Sequence, residues 1–346
     1  MKREEKLKAL PPLLLAWYDK NKRDLPWRRD ADPYRVWVSE IMLQQTRVEA
    51  ARDYYIRFLH ELPAVGDLAA CPEEKLLKLW EGLGYYSRAK NMQKAAREIL
   101  SLGGFPDTAE KLQKLPGIGQ YTAGAIASIA FGKPSPAVDG NVVRVLSRIL
   151  GDAEEQPLLR KKYFAELVPA YPEGRAGDFT QSLMELGATV CLPSSPKCLL
   201  CPVRELCQTQ SDALPLKAAK PERKKTDMTV FVFYDRGGIW LEKRAGGVLS
   251  GMMQFYNAEH ALTPEAAARF LSEKGLTDFC LGEPKAHRHV FTHLIWEMTA
   301  YPVRVRADLS ALSAFSSLRF FTAKQAENDV SLPSAFRWCL SLIPER

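Results

Sequence analysis

The sequence predicts a mostly α-helical first part followed by a separate α+β part. Three observations carry this. Apolar residues recur at helical spacing to about residue 190. A polar, basic, proline-bearing stretch without an apolar face follows Cys207. From about residue 228 the pattern turns to short apolar runs broken by turn residues. A chain of 346 residues holds two or three domains, each large enough to bury a core.

The elements follow in order. Leu7, Leu10, Leu14 and Trp17/Tyr18 share one helical face, as do Trp37, Ile41, Val48 and Tyr55, and then Leu76, Leu79, Trp80 and Leu83. Pro33, Pro63, Pro72, Gly103–Pro106 and Pro116 punctuate them. Further helices are expected over about 121–131, 141–150, 159–169 and 177–188. Residues 1–207 are thus expected to form a helical region, with a helix–hairpin–helix at 112–127 and a cysteine loop at 191–207. Residues 208–227 are expected to be a basic linker, and 228–346 the α+β domain. In the latter, MTVFVFY and GIWLEKR read as strands joined by a turn at Asp235-Arg236-Gly237-Gly238. Residues 264–275 read as a helix, and HRHVFTHLIWEMTAYPVRV as two more strands.

All of the formal charge of +7 lies in residues 1–225, densest in KAAKPERKK at 217–225; residues 226–346 carry 13 basic and 13 acidic side chains. A positive first part fits a polyanion partner. No apolar run approaches the roughly 18 residues of a membrane span. The start, MKREEKLKALPPLLLAWYDK, reads as an amphipathic helix and not as a signal peptide, so a cytoplasmic location with reduced thiols is expected.

Four of the seven cysteines, Cys191, Cys198, Cys201 and Cys207, are spaced C-x6-C-x2-C-x5-C. Four thiolates can ligate one [4Fe–4S] cube or one tetrahedral zinc, and a single compact loop without two separated knuckles favours the cluster. KLPGIGQYTAGAIA at 114–127 brackets Ile118 between Gly117 and Gly119. Glycines let backbone approach a phosphate, and helix N-terminal N–H groups bind anions, so this hairpin reads as a grip on a DNA backbone. Asp139, in PAVDGNVVRVL, reads as a helix N-cap when taken alone. Glu40, in VWVSEIMLQQT, sits among Trp37, Val38, Ile41, Met42 and Leu43, neighbours that would raise its pKa by desolvation. The polar run Gln44-Gln45-Thr46 after it suggests side chains aimed into a cavity or groove. WEGLGYYSRAKN at 80–91 adds a glycine turn with paired tyrosines and basic residues, able to wedge into a base stack.

These motifs resemble a known family. LPGIG with VDGNVVRV and the cysteine spacing resembles the helix-hairpin-helix glycosylases of the endonuclease III superfamily. LPWR, WVSEIMLQQT and GLGYYSRAKN narrow the resemblance to the adenine DNA glycosylase (MutY) family over about residues 10–210. It implies a six-helix barrel-like module plus an iron–sulfur cluster module, followed by a C-terminal Nudix-like α+β domain. FTHL at 291–294 stands where the family commonly has a Phe-Ser-His element that contacts 8-oxoguanine, which makes Thr292 and His293 candidates. Two stretches depart from the family. Met253-Gln254-Phe255-Tyr256 replaces a Trp-Glu-Phe-Pro-like run, leaving local packing open. The Nudix catalytic box has decayed to ARFLSEKG at 268–275, where only Glu273 remains acidic, so binding without nucleotide hydrolysis is expected.

The resemblance implies removal of adenine mispaired with 8-oxoguanine, or with guanine, from double-stranded DNA by a monomeric, nucleoid-associated enzyme holding a [4Fe–4S] cluster. Glu40 matches the family's acid and Asp139 the carboxylate that stabilises the sugar cation. Tyr121 and Asn141 match residues that order the site, with a Tyr121 hydroxyl bond to Asp139 expected. Arg28 matches a residue near the flipped adenine. Gln45, Leu83 and Tyr85 match positions around 8-oxoguanine, and Thr46 extends that polar run. The cluster is expected to shape a basic loop with Lys197 and Arg204. Two rival readings stay open: a bifunctional glycosylase/lyase, which needs lysine at position 121, and a non-enzymatic cluster-bearing DNA sensor, which has no use for Glu40.

Overall fold

The computed structural model describes residues 1–216, 222–306 and 308–344; part of the densest basic run, 217–221, lies outside the described residues. The chain divides into two compact units, Met1–Cys71 with Lys90–Ala219, and Pro72–Ala89 with Lys220–Arg346.

The helices run α1 (Arg3–Asn21), α2 (Pro33–Leu43), α3 (Val48–Glu61), α4 (Val65–Ala70), α5 (Glu73–Leu79), α6 (Ser87–Ser101), α7 (Ala109–Leu112), α8 (Gln120–Ile129), α9 (Gly140–Leu150), α10 (Gln156–Leu167) and α11 (Ala176–Thr189). Their starts follow local chemistry. Asp32 caps α2 by accepting from Arg35 N, with Pro33 at the first helical position. Thr108 caps α7, and Asp139 caps α9. Gly151 ends α9 in the left-handed conformation, φ 73°. In the first unit, Leu7, Leu10 and Leu14 of α1 pack with Val142, Val143 and Leu146 of α9 and Phe179, Leu183 and Leu186 of α11. The cysteine loop closes onto this core through Val203 and Leu206.

The second unit is built on strands β1 (Lys224–Tyr234), β2 (Gly238–Lys243), β3 (Met253–Gln254), β4 (Tyr256–Ala258), β5 (Phe279–Leu281), β6 (Lys285–Val290), β7 (Leu294–Val305) and β8 (Arg319–Thr322), with helices α12 (Pro264–Glu273), α13 (Ala323–Asn328) and α14 (Ser334–Arg337). The central order is β3-β2-β1-β7-β5, and β1 and β7 run parallel in register from Lys224↔Leu294 to Tyr234↔Arg304. The run MTVFVFY is apolar on both faces apart from Thr229, whose hydroxyl donates to His260 O, because both faces of β1 are covered. Met228, Val230 and Val232 pack beneath Phe336 of α14, whereas Phe231 and Phe233 pack against Leu271 of α12. β1 starts at Lys224, four residues before the apolar run, because Lys224–Asp227 pair with Leu294–Glu297. The turn at Asp235 forms as the sequence predicts: its Oδ1 accepts from the backbone N–H groups of Gly237 and Gly238 at 2.6 and 3.0 Å. The departing stretch at 253–256 is well packed, with Met253 and Gln254 paired to β2, Phe255 fully buried and Tyr256 paired to β1. Glu273 is exposed at the end of α12.

Residues 72–89 pack with the α+β core in this second unit. Ser331 Oγ donates to Leu77 O at 3.2 Å, Lys78 Nζ to Val330 O at 3.1 Å, and Leu332 N to Glu81 Oε1 at 3.1 Å. Arg337 pairs with Glu81 at 2.5 Å.

Candidate active site

A cavity of about 770 Å³ opens in the first unit, where the C-terminal end of α2 faces the N-terminal ends of α8 and α9. Its lining includes Arg28, Glu40, Gln45, Tyr121, Asp139 and Asn141, so one cavity gathers residues from well-separated parts of the sequence. Gln44 and Thr46 line it as well, as the polar run after Glu40 suggests. Gln45 is exposed and holds a left-handed backbone, φ 59°, uncommon for a residue with a side chain.

Glu40 is buried, 6% exposed. Burial pushes its pKa up to about 7; a hydrogen bond from Tyr121 and the charge of Arg28 oppose the rise, and the nearby Asp139 carboxylate adds to it. The Tyr121 hydroxyl donates to Glu40 Oε2 at 2.5 Å. This corrects the expectation that Tyr121 binds Asp139. Asp139 is already satisfied: Oδ1 accepts from Val142 N at 2.7 Å, and Oδ2 from Asn141 Nδ2 at 2.8 Å. Burial raises the Asp139 pKa, and these two donors work against that rise. The N-cap reading of Asp139 therefore holds, yet the same carboxylate lines the cavity.

The hairpin before α8 treats its two glycines differently. Gly117 has φ +75°, and a Cβ there would meet Asn91 Cβ at 2.7 Å, so its own fold demands glycine. Gly119 has an ordinary φ of −84°, and a Cβ there would meet nothing within 4 Å. The space beside this helix N-cap is open.

Residues 38–170 match the HhH-GPD superfamily base excision DNA repair protein model, and residues 229–342 match a NUDIX domain model. The human adenine DNA glycosylase is 49% identical over 210 residues, covering 57% of this chain but 38% of its own length, so the chain spans about two fifths of that relative. The adenine DNA glycosylase of Buchnera aphidicola (subsp. Acyrthosiphon pisum, strain APS) is 34% identical over 306 residues, covering 85% of this chain and 86% of its own. The chain belongs to the adenine DNA glycosylase family. A solved structure of a thermostable thymine-DNA glycosylase is similar with a TM-score of 0.55 and 30% identity, covering 60% of this chain and 97% of that one.

For a member of the adenine DNA glycosylase family, the site has supports that sequence reasoning missed. Glu185 of α11 has a fully buried side chain, bound by Arg23 Nε and Arg28 Nη2, each at 2.8 Å. Burial alone would raise its pKa; the two guanidiniums outweigh burial and hold it at about 2. Arg28 thus enters the cavity wall on a buried anion. The signal for Glu185 was the same as for Glu40, a carboxylate inside an apolar helical pattern, but nothing in the sequence pairs it with arginines. On α9, Arg144 Nη2 donates to Asn141 Oδ1 at 2.8 Å, and its Nε to Cys191 O at 2.8 Å. One turn on, Arg148 reaches Leu192 O at 2.7 Å, Pro193 O at 3.1 Å and Cys191 Sγ at 3.4 Å. The helix that starts at Asp139 therefore also anchors the cysteine loop.

Cys191, Cys198, Cys201 and Cys207 line one small cavity in the first unit. Among the described residues, no three His, Cys, Asp or Glu side chains are arranged to hold a single metal ion. A donor set of four sulfurs from one compact loop has the chemistry that a cube requires. Nitrogen donors also reach these sulfurs, as Gln210 N does Cys207 Sγ at 3.4 Å, the kind of bond that tunes cluster thiolates. Lys197 and Arg204 line the same cavity wall.

Leu83, Tyr85, Thr292 and His293 lie in the second unit. Leu83 is buried, whereas Tyr85, Thr292 and His293 are exposed, and the hydroxyls of Tyr85 and Thr292 are hydrogen-bonded. Among the described residues, no helix is long and apolar enough to cross a membrane.

Proposed function

We propose that this chain is a monofunctional glycosylase that removes adenine opposite 8-oxoguanine in double-stranded DNA. The observation that carries the reading is the pair of carboxyls, buried Glu40 and partly buried Asp139, on one cavity large enough for a flipped nucleotide. Glu40, with a pKa of about 7, is a proton donor near neutrality and serves as the acid at adenine N7. Asp139 stays the counter-charge: two donors hold it, and it stabilises the oxocarbenium-like sugar. Tyr121 orients the Glu40 proton, and Asn141 fixes Asp139. Water completes the hydrolysis.

A phenol at position 121 forms no imine, which supports base release without strand cleavage. Arg28 contacts the extruded adenine. Gln45, Thr46, Leu83, Tyr85, Thr292 and His293 are assigned to the 8-oxoguanine and its surroundings. Gly117 shapes the hairpin, and the open space at Gly119 gives a phosphate access to the N-terminal N–H groups of α8. The four cysteines hold a [4Fe–4S] cluster, which supplies a rigid scaffold for the basic loop; no reaction step passes through it.

The test is excision on an 8-oxoguanine:adenine duplex with and without alkali. The expected result is strand breakage only after alkali and no substantial borohydride-trapped complex. Efficient trapping, lost on replacing a lysine, would overturn the monofunctional reading, and no adenine release would overturn the glycosylase itself.

A further inference from the structure

The turn Gly82-Leu83-Gly84-Tyr85 is backbone-strained. Gly82 and Gly84 have φ of 98° and 69°, and Tyr85, which carries a side chain, has φ of 47°. Such a conformation persists only where its surroundings over-determine it. One side chain does much of this. Arg88, half-buried on the first turn of α6, donates from Nη2 to Leu83 O at 3.0 Å and to Gly84 O at 3.2 Å. Its guanidinium lies 5.4 Å from the Trp80 ring centroid and 5.5 Å from that of Tyr85. Trp80, fully buried, donates from Nε1 to the same Gly84 carbonyl at 3.1 Å, and Arg88 N donates to the Tyr85 carbonyl at 2.8 Å. The tyrosine that results stands out from the turn, 46% exposed.

We propose that Arg88 is a positioning residue: its planar fork locks the left-handed turn so that Tyr85 is presented, already ordered, to the damaged base pair. This rests on the assignment of Tyr85 to the surroundings of 8-oxoguanine. A guanidinium is suited because it bonds two carbonyls and stacks on two rings at once; a lysine ammonium offers a point charge without the fork. The entropy of ordering Tyr85 is then spent in folding and not at the lesion.

The experiment measures single-turnover adenine release from 8-oxoguanine:adenine and guanine:adenine duplexes at subsaturating enzyme for Tyr85→Ala, Arg88→Ala, Arg88→Lys and the double variant Tyr85→Ala/Arg88→Ala. The readout is the ratio of the two rates, which a loss of folded fraction leaves unchanged. Arg88→Ala is expected to lower the preference for 8-oxoguanine about tenfold, the lower end of what hydrogen bonds to a charged group supply. Arg88→Lys should not restore it, and where Arg88→Ala fails to fold, the lysine variant carries the test. The double variant should fall no further than Tyr85→Ala, because both act through one ring. If Tyr85→Ala loses the preference while both Arg88 variants keep it within about twofold, or if the two effects multiply, Arg88 has no positioning role. If Tyr85→Ala keeps the full preference, the assignment of Tyr85 itself fails, and this proposal with it.

Discussion

The hydroxyl of Tyr121 donates to the carboxylate of Glu40 across 81 residues of sequence, at 2.5 Å. This contact ties the hairpin before α8 to the acid on α2. It also gives the tyrosine an electrostatic role, because the hydrogen bond stabilises the ionised form of Glu40 and so limits how far burial raises its pKa.

Tyr121→Phe should therefore move Glu40 further up. Adenine release slows, since the proton is no longer aimed, but its alkaline limb shifts above that of the wild type. Single-turnover rates from about pH 5 to 9 test this; an unmoved limb means that Glu40 is not the titrating acid.

Wild-type release should follow a bell. On the proposed mechanism Glu40 is protonated and Asp139 ionised, so the rate should fall as pH rises through about 7. It also falls at acid pH, with a midpoint above the usual aspartate value because burial raises Asp139. Glu40→Gln should lose the alkaline limb along with some 10²–10⁴-fold of rate.

Stability should carry the same signature. Glu40 has a folded pKa of about 7 against 4.5 for the free group. Its raised pKa costs nothing below about 4.5 and progressively destabilises the fold as pH rises through 7. Glu40→Gln is uncharged throughout, so its stability should gain on the wild type between about pH 5 and pH 8, by an amount approaching about 3 kcal/mol. Denaturant titrations of both proteins across that range measure the gap. A constant gap would contradict a buried, raised carboxyl.

Asp139→Asn and Asp139→Ala should separate two functions of one side chain. Asparagine caps helices as well as aspartate, so Asp139→Asn should melt near the wild type, while Asp139→Ala loses about 1 kcal/mol. Both should retain duplex binding and lose excision. Appreciable excision by Asp139→Asn would show that the charge is not needed.

Purified protein should absorb near roughly 400 nm, as thiolate-bound iron–sulfur does. Cys198→Ser should bleach this band and weaken DNA binding. Stoichiometric zinc without iron in anaerobically prepared protein would remove the cluster.

Much of this was legible in sequence because it is local. The helical spacing of Leu7, Leu10 and Leu14 marks a buried face, and Asp139 before Val142 marks a cap. Apolar neighbours marked Glu40 as buried because its sequence neighbours on α2 are also its spatial ones. What stayed hidden is pairing between distant elements. No spacing rule joins Tyr121 to Glu40 over Asp139, since that choice depends on which donors already occupy each carboxylate. Glu185 gives no sign that Arg23 and Arg28 bracket it. The early start of β1 was hidden likewise, because Lys224–Asp227 are polar and become a strand through their partner, Leu294–Glu297. The packing of residues 72–89 with the α+β core rests on contacts such as Ser331 to Leu77, 254 residues apart.

Asp139 both caps α9 and lines the cavity, and this double duty shapes how the protein can fail. A substitution that keeps the cap and removes the charge should leave a molecule with an intact fold and, on the proposed function, an intact grip on DNA. On the proposed function, such a molecule would escape clearance, find the mispair and stay there. It would occupy mispairs and shield them from competent copies, so damage at this one carboxylate would be felt as obstruction and not merely as absence.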